Sequence, residues 1–172
     1  LDVEISQLDL VDISHWVPYA IKGMVSGDAH IDSFVPIFAN GSLRGVGIEF
    51  DQQEIGNIEA DVMVLGNDDI QFRNAEIRRD GAILSGSFDL NKRSGDLKGA
   101  LEASGQQLAD FQWLGVPEVI KGHVGAAVFV VAGTYTSPLI AGQATIDNLQ
   151  FREQVFDRAV VNVDHDGKVV FA

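Results

Sequence analysis

The chain has 172 residues, enough for one domain or for two small repeats that share a core. With 25 acidic against 12 basic residues its formal net charge is -13, which leaves no cationic stripe for nucleic acid and disfavours adhesion to anionic headgroups. It lacks cysteine, so a disulfide framework, a thiolate metal site and a cysteine nucleophile are excluded, yet 46% of it is hydrophobic before its 18 glycines are counted, against roughly 45–50% with glycine in an ordinary soluble domain.

The dominant period along the chain is two, the signature of strands with one wet and one dry face. Leu1, Val3 and Ile5 alternate with Asp2, Glu4 and Ser6. The stretch DISHWVPYAIKG, Asp12 to Gly23, breaks the pattern, and its Val17-Pro18 pair predicts a helical turn or two before the proline. Alternation returns in Val46, Ile48 and Phe50, in Ile58, Ala60, Val62 and Val64, in Ile70 and Phe72, in Leu84, Phe88 and Leu90, and in Leu97, Leu101 and Ala103. A second connector, LADFQWLGVPEVIKG from Leu108 to Gly122, resembles the first. The most apolar run follows, Val124 to Gly133, far short of the roughly 20 residues of a membrane-spanning helix. As a strand it has Val124, Ala126, Val128 and Val130 on one face and Gly125, Ala127, Phe129 and Val131 on the other, so cover on both sides is expected. Ala159, Val161 and Val163 form the last alternating set.

Turn chemistry separates these strands at Asn40-Gly41, Gly56-Asn57, Gly66-Asn67-Asp68, Asp80-Gly81, Ser94-Gly95, Ser104-Gly105 and Asp166-Gly167. Short strands joined by tight turns predict an all-β antiparallel meander. The connectors expose an internal repeat: Ile21-Lys22-Gly23 matches Ile120-Lys121-Gly122, Val17-Pro18 matches Val116-Pro117, and Ala60, Val62 and Val64 answer Ala159, Val161 and Val163. The expected organisation is a first repeat over 1–107 and a second over 108–172, stacked as one curled sheet. Beginning at Leu1 without methionine or a signal-peptide pattern, the chain is expected to be a piece of something longer.

Catalytic and metal chemistry find little purchase. The nucleophile elbow Gly-x-Ser-x-Gly is missing, and His15, His30, His123 and His165 lack zinc spacing. Asp164, Asp166 and Gly167 resemble part of a calcium loop without its bidentate glutamate, and Asn67 to Asp69 reads as a turn. Gly45 to Phe50 lacks the third glycine and the helix of a dinucleotide site, and Asn40-Gly41-Ser42 is only formally a glycosylation sequon. No enzyme activity, cofactor or metal is expected. Trp16 and Trp113 occupy equivalent places in the two connectors, where plugging an end of each repeat is favoured over lipid-interface anchoring or sugar stacking.

The segment from Asp80 to Ala172 resembles the TamB branch of the AsmA-like proteins, through a Leu-rich connector with a proline, a glycine opening a strand, then Gly-Thr, proline and glycine. Leu108, Pro117, Gly122, Gly133, Thr134, Pro138 and Gly142 carry that pattern. The first copy departs from it, reading HIDSFVPIFANG with Pro36 and Gly41 but no Gly-Thr. The resemblance implies a periplasmic protein anchored in the inner membrane, folded as an open U-shaped (β-taco-like) trough, and implicated in phospholipid transport and outer-membrane protein assembly. It brings no catalytic residues.

A twisted sheet with one apolar face must curl on itself, pair with a second sheet or admit a ligand. The ligand expected is phospholipid acyl chains, in a groove lined by Val46, Ile48, Phe50, Ala60, Val62, Val64, Leu84, Phe88, Leu97, Leu101, Val124, Ala126, Val128, Val130, Ala159, Val161 and Val163. Two other readings stand beside it. One is a scaffold whose edge strands pair with an outer-membrane barrel assembly protein and its clients, or with another copy of the fragment. The other is a closed β-sandwich module for adhesion or carbohydrate binding.

Overall fold

The alternating segments fold as strands that pair with their neighbours in sequence, one after another. The computed structural model describes residues 1–13, 20–50, 53–114, 116–134, 137–164 and 168–171. In chain order these form β1 (Asp2–Asp9), one helical turn α1 (Leu10–Ile13), β2 (Ile21–Phe34), β3 (Ile37–Phe50), β4 (Gln53–Leu65), β5 (Asp69–Arg79), β6 (Ala82–Asn91), β7 (Leu97–Ala103), β8 (Gln106–Gln107), a 3-10 helix (Leu108–Leu114), β9 (Ile120–Thr134), β10 (Ser137–Phe151), β11 (Gln154–Asp164) and β12 (Lys168–Phe171). All described strands belong to one antiparallel sheet in sequence order, with the two-residue β8 set beside β9 where β7 has ended. The order β1–α1–β2 is echoed by β7–β8–3-10 helix–β9, each time with a short helical connector leading into a long strand.

The sheet is an open, curled trough, with β1 and β12 as its two edges. Strands make their main contacts with hydrogen-bonded neighbours and with the connectors, so no second layer clasps the first and a closed sandwich is not formed. The surface area tells the same story: 10760 Å² for an 18.6 kDa chain, against roughly 8200 Å² for a compact protein of that mass. Among the described residues no large side chain is fully buried.

Curling a sheet this strongly crowds its backbone, and inward-facing glycines relieve the crowding. A side chain at Gly41 would fall on the Asp28 carbonyl oxygen, and one at Gly86 on that of Ala100. Here the sequence reading is corrected. Asn40-Gly41 is not a hairpin turn but lies within β3, and the turn sits at Val35-Pro36. Gly56-Asn57 likewise lies inside β4. In both cases the glycine answers a close approach of strands rather than a chain reversal. The turns expected at Gly66 to Asp68, at Asp80-Gly81 and at Ser94-Gly95 are present; that at Asp166-Gly167 lies outside the described residues. Replacing Gly86 with alanine is expected to lower stability by about 1–3 kcal/mol in urea denaturation through overpacking. The neighbouring outward Ser85→Ala change should stay within about 0.5 kcal/mol.

Candidate functional site

Cross-strand partners share a face of the sheet, so the register assigns the two surfaces row by row. One row runs Val3, Ala29, Gly41, Val62, Phe72, Phe88, Gly99, Val131, Ile140, an unbroken series of partners from β1 to β10 without a polar side chain. A second inner row runs Ile31, Ala39, Val64, Ile70, Leu90, Leu97. Between them lies an outer row of opposite character: Asp2, His30, Asn40, Met63, Gln71, Asp89, Lys98. At the spacing of neighbouring strands the first row extends on the order of 40 Å.

The connectors cover only part of this inner face. α1 is capped by Asp9, whose Oδ1 accepts the Val11 N–H at 3.0 Å, and it delivers Leu10 onto Val25 and Ile48. The second connector is tied to β6 by Gln106, whose Oε1 accepts the Ile83 N–H at 2.8 Å while its Nε2 donates to the Ile83 carbonyl at 3.0 Å. From there the 3-10 helix lays Leu108 and Phe111 over Leu84, Ala103, Val124, Ala127, Ile146 and Val161, forming the larger core. Trp113 packs against the same cluster, with the Arg79 guanidinium 5.1 Å from its ring and its own Nε1 buried without a hydrogen-bond partner. It is a plug for this end of the trough. The equivalent Trp16 lies outside the described residues.

Beyond the plug, Val62, Val64, Ile70, Phe72, Phe88, Leu90 and Leu97 belong to neither core and are half-buried, with none of the described elements laid over them. Phe72 and Phe88 stack at 4.4 Å between ring centroids and form the broadest part of this floor. The groove is thus one uncharged strip, open along its length and closed at the connector side.

The expected lining residues divide accordingly. Ala60, Val62, Val64, Phe88 and Leu97 face the inside where the groove is open. Ile48, Leu84, Leu101, Val124, Ala159 and Val161 also face inward but pack in or against the two connector-side cores. Four face the other way and are corrected: Val46, Ala126, Val128 and Val130 lie on the outer surface, with Val46, Val128 and Val130 each about half exposed. The cause is a β-bulge in each strand. Between Gly45 and Ile48 the register against β4 slips by one residue at Gly47, whose φ is 61°, so Gly45 and Ile48 both point inward. In β9 an extra residue around Gly125 puts Val124 and Ala127 on the same side, which inverts the remainder of the strand. Beyond that bulge Ala127, Phe129 and Val131 are the inner residues of β9. The side chains of Phe50 and Val163 lie outside those described.

Several inner residues stand outside the expected lining: Ile31, Ala39 and Ile140 were not singled out, Ile70, Phe72 and Leu90 were read only as alternating strand residues, and Phe129 was assigned to the opposite face of its strand. The glycines inside the apolar runs were the signal that could have placed the bulges.

Apart from Arg79, which shares the inner face with Ala82 and lies over Trp113, the charged pairs keep to the outside of the sheet. Arg73 meets Asp89 at 2.7 Å, Arg44 meets Glu59 at 3.3 Å and Arg158 meets Asp147 at 2.9 Å, all exposed pairs worth no more than about 1 kcal/mol each. His30 lies between Asp2, at 2.6 Å, and Asp32, at 3.3 Å, and its hydrogen bond and charge hold the Asp2 carboxyl below the usual carboxylate range. His123 bonds Gln107. No cluster of metal-binding side chains occurs among the described residues; His15 and His165 fall outside them.

Core and groove should respond differently to truncation. Leu84→Ala is expected to remove about 2–5 kcal/mol of stability by leaving a cavity, and Val64→Ala, on the uncovered floor, under about 1 kcal/mol. Chemical denaturation of the two variants compares them directly. Set against protein-family models, characterised proteins and solved structures, this chain finds no match.

Proposed function

We propose that this chain is a segment of a TamB-like periplasmic protein anchored in the inner membrane, and that its groove conducts or shields phospholipid acyl chains between inner and outer membranes. The observation that carries the reading is the unbroken apolar row across β1–β10, flanked over β1–β6 by mostly polar rows that face away. Each acyl methylene that leaves water there gains on the order of 0.8 kcal/mol, without a directional contact. Neighbouring positions along the strip are similar in chemistry, so a chain can shift by one strand spacing against small barriers while its headgroup stays in water. The row is longer than the roughly 15 Å hydrocarbon depth of one leaflet, so it accepts tails end to end.

A second reading draws on the edges. Among the described residues β1 pairs with β2 alone, and a strand from an outer-membrane barrel client could add to it. The two uses occupy different surfaces, one the floor and the other the rim of the sheet.

Photo-crosslinking residues introduced in the full protein test the groove. Lipid adducts are expected at positions 62 and 129, which face inward, and not at 63 and 128, which face outward. Val62→Asp should stop lipid delivery, whereas Val128→Asp should leave it unchanged. Delivery that survives Val62→Asp in a folded protein refutes the groove.

A further inference from the structure

One hairpin apex in this trough is built unlike its neighbours. The chain passes from β2 to β3 through Phe34, Val35, Pro36, Ile37 and Phe38, five apolar residues in succession. They stand in solvent: Val35 is 91% exposed, Phe34 62%, Phe38 40% and Ile37 38%. Leu65, the cross-strand partner of Phe38, extends the patch onto β4.

The other described apices at this end of the sheet are ordinary aqueous turns. Between β4 and β5 the chain turns through Gly66, Asn67 and Asp68. Between β6 and β7, Asn91 Oδ1 accepts the Arg93 and Ser94 N–H groups, and Arg93 pairs with Asp68 at 3.1 Å. The apolar apex is therefore a property of this hairpin and not of the whole lip.

Register shows how the apex joins the groove. A bulge between Ile31 and Ser33 resets β2, so that Phe34 and Ile37 pair just beyond the inner pair Ile31 and Ala39. The inner stripe thus runs to the end of the hairpin, while Phe38 and Leu65 make the outer side apolar as well. An element that is apolar on both sides at its tip matches a non-aqueous surrounding.

We infer that the β2–β3 apex inserts shallowly into the surface of a lipid bilayer with zwitterionic headgroups, bringing the groove into contact with lipid. This rests on the groove reading for its purpose, though the insertion itself does not require it. Two features select this occupant. A second copy would have to bury about 800 Å² on each side to hold a stable contact, more than five residues at one apex supply, whereas an interfacial element need only sink about 5–10 Å into the headgroup boundary. The net charge of -13, with Asp32 beside the apex, sets an anionic surface at a disadvantage.

The lack of native cysteine allows a clean test. Val35→Cys and Asn67→Cys are each labelled with an environment-sensitive fluorophore and mixed with phosphatidylcholine vesicles, with and without a doxyl-lipid quencher. The label at position 35 should brighten, shift to the blue and be quenched by the doxyl lipid; the label at 67 should do none of these. Phe34→Ser combined with Phe38→Ser should weaken vesicle binding at least about tenfold, read by flotation, in a chain whose circular dichroism is unchanged. No response at position 35 overturns the proposal. So does a response that tracks protein concentration without lipid, which means self-association, or one that appears only with anionic vesicles. Crosslinking of lipid at position 62 from detergent micelles, which needs no bilayer, reports the groove separately from the apex.

Discussion

A single-layer sheet with one dry face has to dispose of that face, and every other feature of this molecule follows from how it does so. The apolar area on one side of an extended meander exceeds what two short connectors can cover. The sheet responds by curling, and the curl is possible because glycine stands where strands approach most closely, as at Gly41 and Gly86. What remains is divided unevenly. The connector side becomes a true core around Leu84, Val124 and Ile146, while the floor around Phe72 and Phe88 has no cover among the described residues.

The separation of charge from that floor is as informative as the floor itself. Acidic and basic side chains occupy alternate rows on the outside, where the exposed ion pairs contribute little to stability but keep the convex side wetted. No charged side chain is buried among the described residues. A protein of high negative charge can thus present a continuous hydrocarbon-like surface without aggregating through its convex side, because like charge repels other copies there. Two places depart from this division: the outer face of β9, where Val128 and Val130 stand half exposed, and the apolar apex at Val35, which carries the character of the inside out to the rim.

Much of the architecture was legible because alternation over many strands leaves few choices. The meander and the helical character of both connectors could be read from the spacing of Val, Ile and Leu and from the breaks at Asp12 and Leu108, whereas spacing alone left an open trough and a closed sandwich both standing. The facing of individual side chains was less legible. Period two holds only until a strand takes in an extra residue, and strands of 14 or 15 residues bent around a trough do so repeatedly. Gly47 and Gly125 mark two such places. Counting straight through them placed Val46, Val128 and Val130 on the wrong side while Val62 and Val64 were assigned correctly. The hairpin turn was misread for a related reason: Asn40-Gly41 has turn chemistry, but the strand needs its glycine for clearance, and the reversal falls to a proline that carries no polar signal.

Pairing in strict sequence order also shapes how such a chain must acquire its structure. Each strand meets a partner delivered close before or after it, with the β1–β2 and β7–β9 junctions spanning longer connectors. Loop-closure entropy is then lost in small instalments, and order can begin at any hairpin and spread outward like a zip, as in one-dimensional arrays. Such a chain could be assembled progressively as it emerges into its compartment, with each new strand templated by the one already in place.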